Sequence, residues 1–236
     1  MKNRFFVPTI DETITLTGDE LHHARVLRLG EGEEVEVFDG RGAIAVARVV
    51  NPTTLYVLSR IDSRESPLAI DLAMAIINLD KFELVLQKAT ELGVRSIIPL
   101  VTERVEIRPE RYRGKTERWE KIVYEAAKQS GRGVIPRVEA PEEFETALNR
   151  ANKIFFDADT VSAAACPPSL DSVTVFIGPE GGWTDNEIAL ALARECVIER
   201  LGPRRLRAET AAIAACVVVE ARWGDLTARQ GDDRLI

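Results

Sequence analysis

Two short segments place glycine, arginine and acidic residues where an apolar run gives way to a helical one. The first is IGPEGGW, residues 177–183. Glycines at such a junction let the backbone approach a small molecule and aim its N–H and C=O groups at it. The carboxyl ends of strands are also where open α/β sheets bind ligands. A tight structural turn would use the same residues, so this segment alone leaves both readings open. The second is LGPRRLRAETAA, residues 201–212, with Arg204, Arg205 and Arg207 just ahead of Glu209 and Thr210. A helix N-terminus prefers anions. Arginines gathered there point to an anionic partner, an RNA phosphate or a substrate carboxylate, although a plain surface loop could carry them too.

A third stretch, residues 101–137, holds ten Lys/Arg against six acids in a chain whose net charge is -7. Tyr112 and Trp119 fall among these charges. The pattern suits a solvated mixed-charge helix as well as a groove for nucleic acid. Arg4, Arg25 and Arg28 lie in the amino-terminal segments RFFVP and HHARVLRLG. His22 and His23 read as surface or packing residues.

Other chemistries lack their fingerprints. No GxGxxG follows a strand with an acid about 20 residues on, and no GxxxxGK[ST] is present. Cys166, Cys196 and Cys216 are far apart and read as buried free thiols. With only His22 and His23 available, no metal site is expected. No segment has the apolar core of a signal peptide or the length of a membrane span. A soluble cytoplasmic protein is therefore expected.

The elements that must position these residues fall into two rhythms. Up to about residue 62, short runs rich in Val, Ile, Thr and aromatics (13–16, 33–40, 43–50, 53–62) alternate with turn residues, around a helix opening near Thr17 or Asp19 and stopping at Gly30. A small β-barrel with one helix fits. After the polar linker 63–67, strands (68–77, 94–101, 153–158, 173–178, 196–202) alternate with helices (81–93, 115–130, 141–150, 184–195, 209–224). This implies an α/β domain with a mostly parallel sheet. Thr184 and Glu187 have capping-box spacing. Domains are expected at 1–67 and 68–236.

RFFV, HHARVLRLGEGEEVEVFDGRG, KATELGVRSIIPLVTER, AAKQSGR, IGPEGGWTDNEI and LGPRRLRAETAA occur in one order across nearly the whole chain. Together they resemble the ribosomal RNA small subunit methyltransferase E family, knotted enzymes of the SPOUT superfamily that methylate N3 of a uridine in 16S ribosomal RNA. The resemblance implies a PUA-like β-barrel that helps hold RNA, followed by a parallel-sheet domain with a deep trefoil knot. It implies S-adenosylmethionine as cofactor, a homodimer, and the small ribosomal subunit as substrate. By motif, the cofactor pocket should involve Leu100, Thr102, Gly178, Glu180, Gly181, Gly182, Leu201, Gly202, Leu206 and Thr210. Arg207 with Arg204 should stabilise the anionic base while Glu209 orients the site. Arg4, Arg25, Arg28, Arg104 and Arg132 are expected to contact RNA. Two residues depart from the family pattern. Lys128 stands where relatives usually carry glutamate, and Arg205 replaces a usual aliphatic residue.

Two other readings stay open at this point. One is a knotted methyltransferase acting on a ribose 2′-hydroxyl or on transfer RNA, and the other is a ribosome assembly factor without catalysis. A nucleotide-dependent oxidoreductase is disfavoured by the missing fingerprint.

Overall fold

A computed structural model describes residues 3–161 and 166–226. The chain divides into two compact units, Met1–Glu65 with Tyr124–Ile135, and Ser66–Val123 with Pro136–Ile236. The first unit thus reaches beyond the stretch expected from the linker and takes in a distant segment.

In the first unit, β1 (Arg4–Phe6), β2 (Thr13–Thr15), α1 (Gly18–Val26), β3 (Glu34–Phe38), β4 (Ile44–Asn51) and β5 (Thr54–Ile61) follow one another. The strands form a half-barrel sheet in the order β1-β3-β4-β5-β2. Alternating residues such as Val35, Val37, Ala45, Ala47 and Leu55 turn inward with Phe5, Ile14 and Leu16 to make its core. That alternation is what a sheet with one buried face requires. Only β1 was not expected as a strand; it pairs parallel to β3 with Arg4 opposite Glu36.

This register explains why residues 124–135 belong here. Arg4 Nε lies 2.5 Å from Glu36 Oε1. Its Nη1 donates to the carbonyls of Ala127 and Lys128, each at 3.0 Å, and its Nη2 to that of Arg132 at 2.9 Å. Arg132 in turn pairs with Glu65 at 2.6 Å, and Glu65 Oε1 accepts the N–H groups of Gly133 and Val134. Arg4 and Arg132 are 6% and 5% exposed. Both were expected to meet RNA, and both are instead interior groups, because buried guanidinium groups must be matched by fixed acceptors. The departure at Lys128 is also matched locally: its Nζ sits 2.7 and 2.8 Å from the two Glu20 oxygens and 3.1 Å from His23 Nδ1.

The second unit contains β6 (Ala69–Ala75), α2 (Leu79–Glu91), β7 (Ser96–Val101), α3 (Pro109–Tyr112) and α4 (Thr116–Ser130), whose last turns fall in the first unit. After these come β8 (Arg137–Val138), β9 (Glu142–Glu143), α5 (Phe144–Ala147), β10 (Lys153–Phe156), β11 (Ser172–Ile177), α6 (Asp185–Ala193), β12 (Val197–Glu199) and α7 (Ala208–Trp223). The sheet runs β12-β10-β11-β6-β7-β8, with β9 also on β7, and its pairings are parallel. β6 and β11 are buried along almost their whole length, as central parallel strands must be. The helix expected over 141–150 is reduced to α5, because Glu142 and Glu143 pair with Leu100 and Val101 instead.

The aromatic residues of the basic stretch also have another place. Tyr112 is 5% and Trp119 0% exposed, and the Trp119 ring lies 5.0 Å from that of Phe82. They are core residues and offer no stacking platform for bases. Among the described residues, no helix is long and apolar enough to cross a membrane, and no group of three or more His, Cys, Asp or Glu is placed to hold a metal ion.

Candidate active site

The carboxyl ends of β10, β11 and β12 open onto a cavity of about 350 Å³. One wall is the loop that leaves β11. Trp183 anchors it: its Nε1 donates to the Phe156 carbonyl at 3.1 Å, and its ring lies 4.3 Å from Phe155 and 5.1 Å from Phe144. A Cβ on Gly178 would come within 2.9 Å of that indole, so only glycine lets the strand end pass so close. Gly182 has φ +71 and donates its N–H to the Pro179 carbonyl at 2.9 Å, closing the turn. The loop then enters α6 through a complete capping box between Thr184 and Glu187.

A second loop, following β7, clasps the first. Glu187 is buried and its Oε1 accepts the Glu103 N–H at 3.0 Å. Arg104 Nη1 donates to the carbonyls of Gly181 and Trp183, each at 2.9 Å. Arg104, expected to meet RNA, is exposed, and its Nη1 holds the glycine loop. Glu180 Oε1 accepts the N–H of Asn78, the N-cap of α2, at 3.3 Å.

The opposite wall is the segment between β12 and α7. Gly202 has φ +85, which bends the chain after Leu201. Arg207 is the N-cap of α7 with no side-chain cap bond, and its guanidinium is left to the exposed rim. Glu209 sits in the first turn of α7, with Oε1 3.6 Å from Lys81 Nζ and Oε2 buried without a hydrogen-bond partner. Arg205, the second departure, pairs with Asp159. Beneath the site, Glu199 is held below the usual carboxylate range. Burial pushes it up, but hydrogen bonds from Arg222 and Cys166 and the Arg222 charge outweigh that.

Of the residues singled out from sequence, Gly178, Glu180, Gly182, Leu201, Arg204, Leu206 and Arg207 line the cavity. Gly181, Gly202 and Glu209 belong to the same segments but are not among the lining residues. Thr210 is exposed on α7. Leu100 is fully buried in β7, and Thr102 is buried just past it with Oγ1 lacking a hydrogen-bond partner. Arg25 and Arg28 are exposed on the first unit. Sequence reasoning passed over Asp157 and Arg200, which also line the cavity. Each follows the end of a strand, and that position was the available signal.

Comparison with known proteins agrees with this geometry. Residues 64–220 match the RNA methyltransferase domain family, and residues 16–61 match the RNA methyltransferase PUA domain family. The chain is 36% identical over 231 residues to the ribosomal RNA small subunit methyltransferase E of Synechocystis, covering 90% of this chain and 74% of that one. It is 31% identical to that of Bacillus subtilis over 86% of this chain and 88% of the other. It superposes with a TM-score of 0.86 at 32% identity on the crystal structure of the Neisseria gonorrhoeae methyltransferase E bound to S-adenosylmethionine, covering 96% of this chain and all of that one. Matched along both units and at the cavity-bearing sheet, this chain belongs to the ribosomal RNA small subunit methyltransferase E family.

Proposed function

We propose that this protein methylates N3 of a uridine in 16S ribosomal RNA, using S-adenosylmethionine. The observation that carries the reading is a single cavity walled by both the glycine loop and the arginine segment, in a chain of this family. Its volume lies in the range of small-molecule sites. The glycine-rich wall and the apolar side chains of Leu201 and Leu206 fit a nucleoside with a charged tail.

When bound, S-adenosylmethionine supplies a methyl group already activated by its sulfonium charge. The protein's task is then positioning. The loop 178–183 is held rigid by Trp183, Arg104 and Glu187, so its main-chain groups are preorganised. Uracil N3 must give up its proton to solvent water, and the resulting negative charge spreads to the neighbouring carbonyl oxygens. Arg207, with Arg204, supplies cationic donors for that charge at the cavity rim. Glu209, with Lys81 beside it, orients the start of α7 and so the backbone that carries Arg207. N3 lies on the Watson–Crick edge, so the target base enters unpaired.

Arg25 and Arg28 support an RNA-holding role for the first unit, and an RNA substrate of this kind places the protein in the cytoplasm. The protein acts as a homodimer in this reading. The middle of α7, residues 211–219, is apolar on all sides, yet Val217 is 41% exposed, and such a stretch is normally buried. A second copy covers that face.

The test is nucleoside mass spectrometry of small ribosomal subunits from a deletion strain, incubated with protein and S-adenosylmethionine. Protein-dependent 3-methyluridine is expected. A methylated ribose, or no methylation by a protein that binds the cofactor, would sink the assignment to uridine N3 of this RNA.

A further inference from the structure

Asp157 is the first residue past β10, and its N–H donates to the Glu199 carbonyl at 3.0 Å, which fixes its backbone against β12. Its carboxylate is fixed as well. Oδ2 accepts the N–H groups of Asp159 at 3.0 Å and Thr160 at 2.7 Å. Oδ1 accepts no hydrogen bond among the described residues. Asp157 lines the cavity, as do Arg200 and Arg204. The other acid of the cavity lining, Glu180, is exposed and reaches toward Asn78. Asp159 is taken by Arg205.

We infer that Asp157 is the residue that recognises the α-ammonium group of S-adenosylmethionine. The inference rests on the cofactor reading proposed above. One anchored anionic oxygen suits an ammonium, which has three donors and carries charge. A ribose diol is better met by two acceptor positions. Charge-assisted bonds of this kind are about twice as strong as neutral ones. Arg200, in the same cavity lining, suits the cofactor carboxylate, so the zwitterionic tail meets both signs in one cavity.

Calorimetric titration of the full chain tests this with three ligands: S-adenosylmethionine, S-adenosylhomocysteine and 5′-methylthioadenosine. The last keeps the nucleoside and sulfur but lacks the amino-acid tail. Asp157→Asn retains an oxygen for the two main-chain donors and removes the charge. It is expected to weaken the first two ligands about 10- to 100-fold and leave 5′-methylthioadenosine unchanged. Asp157→Ser, whose hydroxyl can hold the same turn, should show the same selective loss. Equal weakening of all three ligands, as a nucleoside contact would give, overturns the inference, and so does no change in either variant. A wild-type protein that binds none of the three would overturn the cofactor reading itself.

Discussion

Arg104 holds Gly181: its Nη1 donates to the Gly181 carbonyl at 2.9 Å and to the Trp183 carbonyl at the same distance. Two loops far apart in sequence are joined at the cavity by one guanidinium. Arg104→Ala should therefore loosen the glycine loop without removing any group that touches the cofactor. Calorimetry should show S-adenosylmethionine binding weakened about tenfold, the effect of losing one to two charge-assisted bonds. The melting temperature should stay close to wild type, since the side chain is exposed. Unchanged affinity would mean that the loop holds its shape without this clasp.

Arg207→Ala should have the opposite signature. The side chain makes no cap bond and lies on the exposed rim, so fold and cofactor binding should survive its loss. Single-turnover methylation of small subunits should fall at least about 100-fold, the usual cost of deleting a donor to a developing anion. A normal rate would remove Arg207 from the mechanism.

Lys128 offers a charge-swap test. Both partners of the Lys128–Glu20 pair are largely shielded, at 14% and 12% side-chain exposure. Lys128→Glu would set two carboxylates against each other. It should cost about 3 kcal/mol, as breaking a shielded pair does. Adding Glu20→Lys should recover most of that loss in a denaturant midpoint. Failure of the double variant to recover would show that the surrounding groups, Tyr124 and His23, dictate the sign of each position.

Acid stability should depend on Glu36. Burial pushes this carboxyl up, but hydrogen bonds from Arg64 and the charges of Arg4 and Arg64 outweigh it and hold it below the usual range. A group depressed in the folded state adds stability above its unfolded pKa, near 4.3 for glutamate. That stability is lost as pH falls through the folded value. Glu36→Gln should lower the urea midpoint at pH 7 and lose progressively less, relative to wild type, below about pH 4. A constant difference between pH 7 and pH 3 would rule out this titration as the cause.

What the sequence revealed was mainly local. The Thr184…Glu187 box and the apolar run of β6 act through near neighbours, and each came out where its pattern said, while Gly178 and Gly182 line the cavity at the end of β11. Charge pairing over long separations could not be read in this way. Arg4 meets carbonyls at 127, 128 and 132, and Arg104 meets carbonyls at 181 and 183. Nothing near either arginine in sequence distinguishes it from Arg25 or Arg28. Tyr112 and Trp119 misled for a related reason. The charges around them mark the outer face of a helical region, while the rings themselves fill its inner face.

The recruitment of residues 124–135 into the first unit sets a timetable for the growing chain. Translation adds about 5–20 residues per second, so the half-barrel strands emerge on the order of ten seconds or less before the carbonyls that Arg4 needs. Until then the Arg4 guanidinium has Glu36 but not the three carbonyls that complete its set of acceptors. A fragment cut at the apparent linker would never receive those partners.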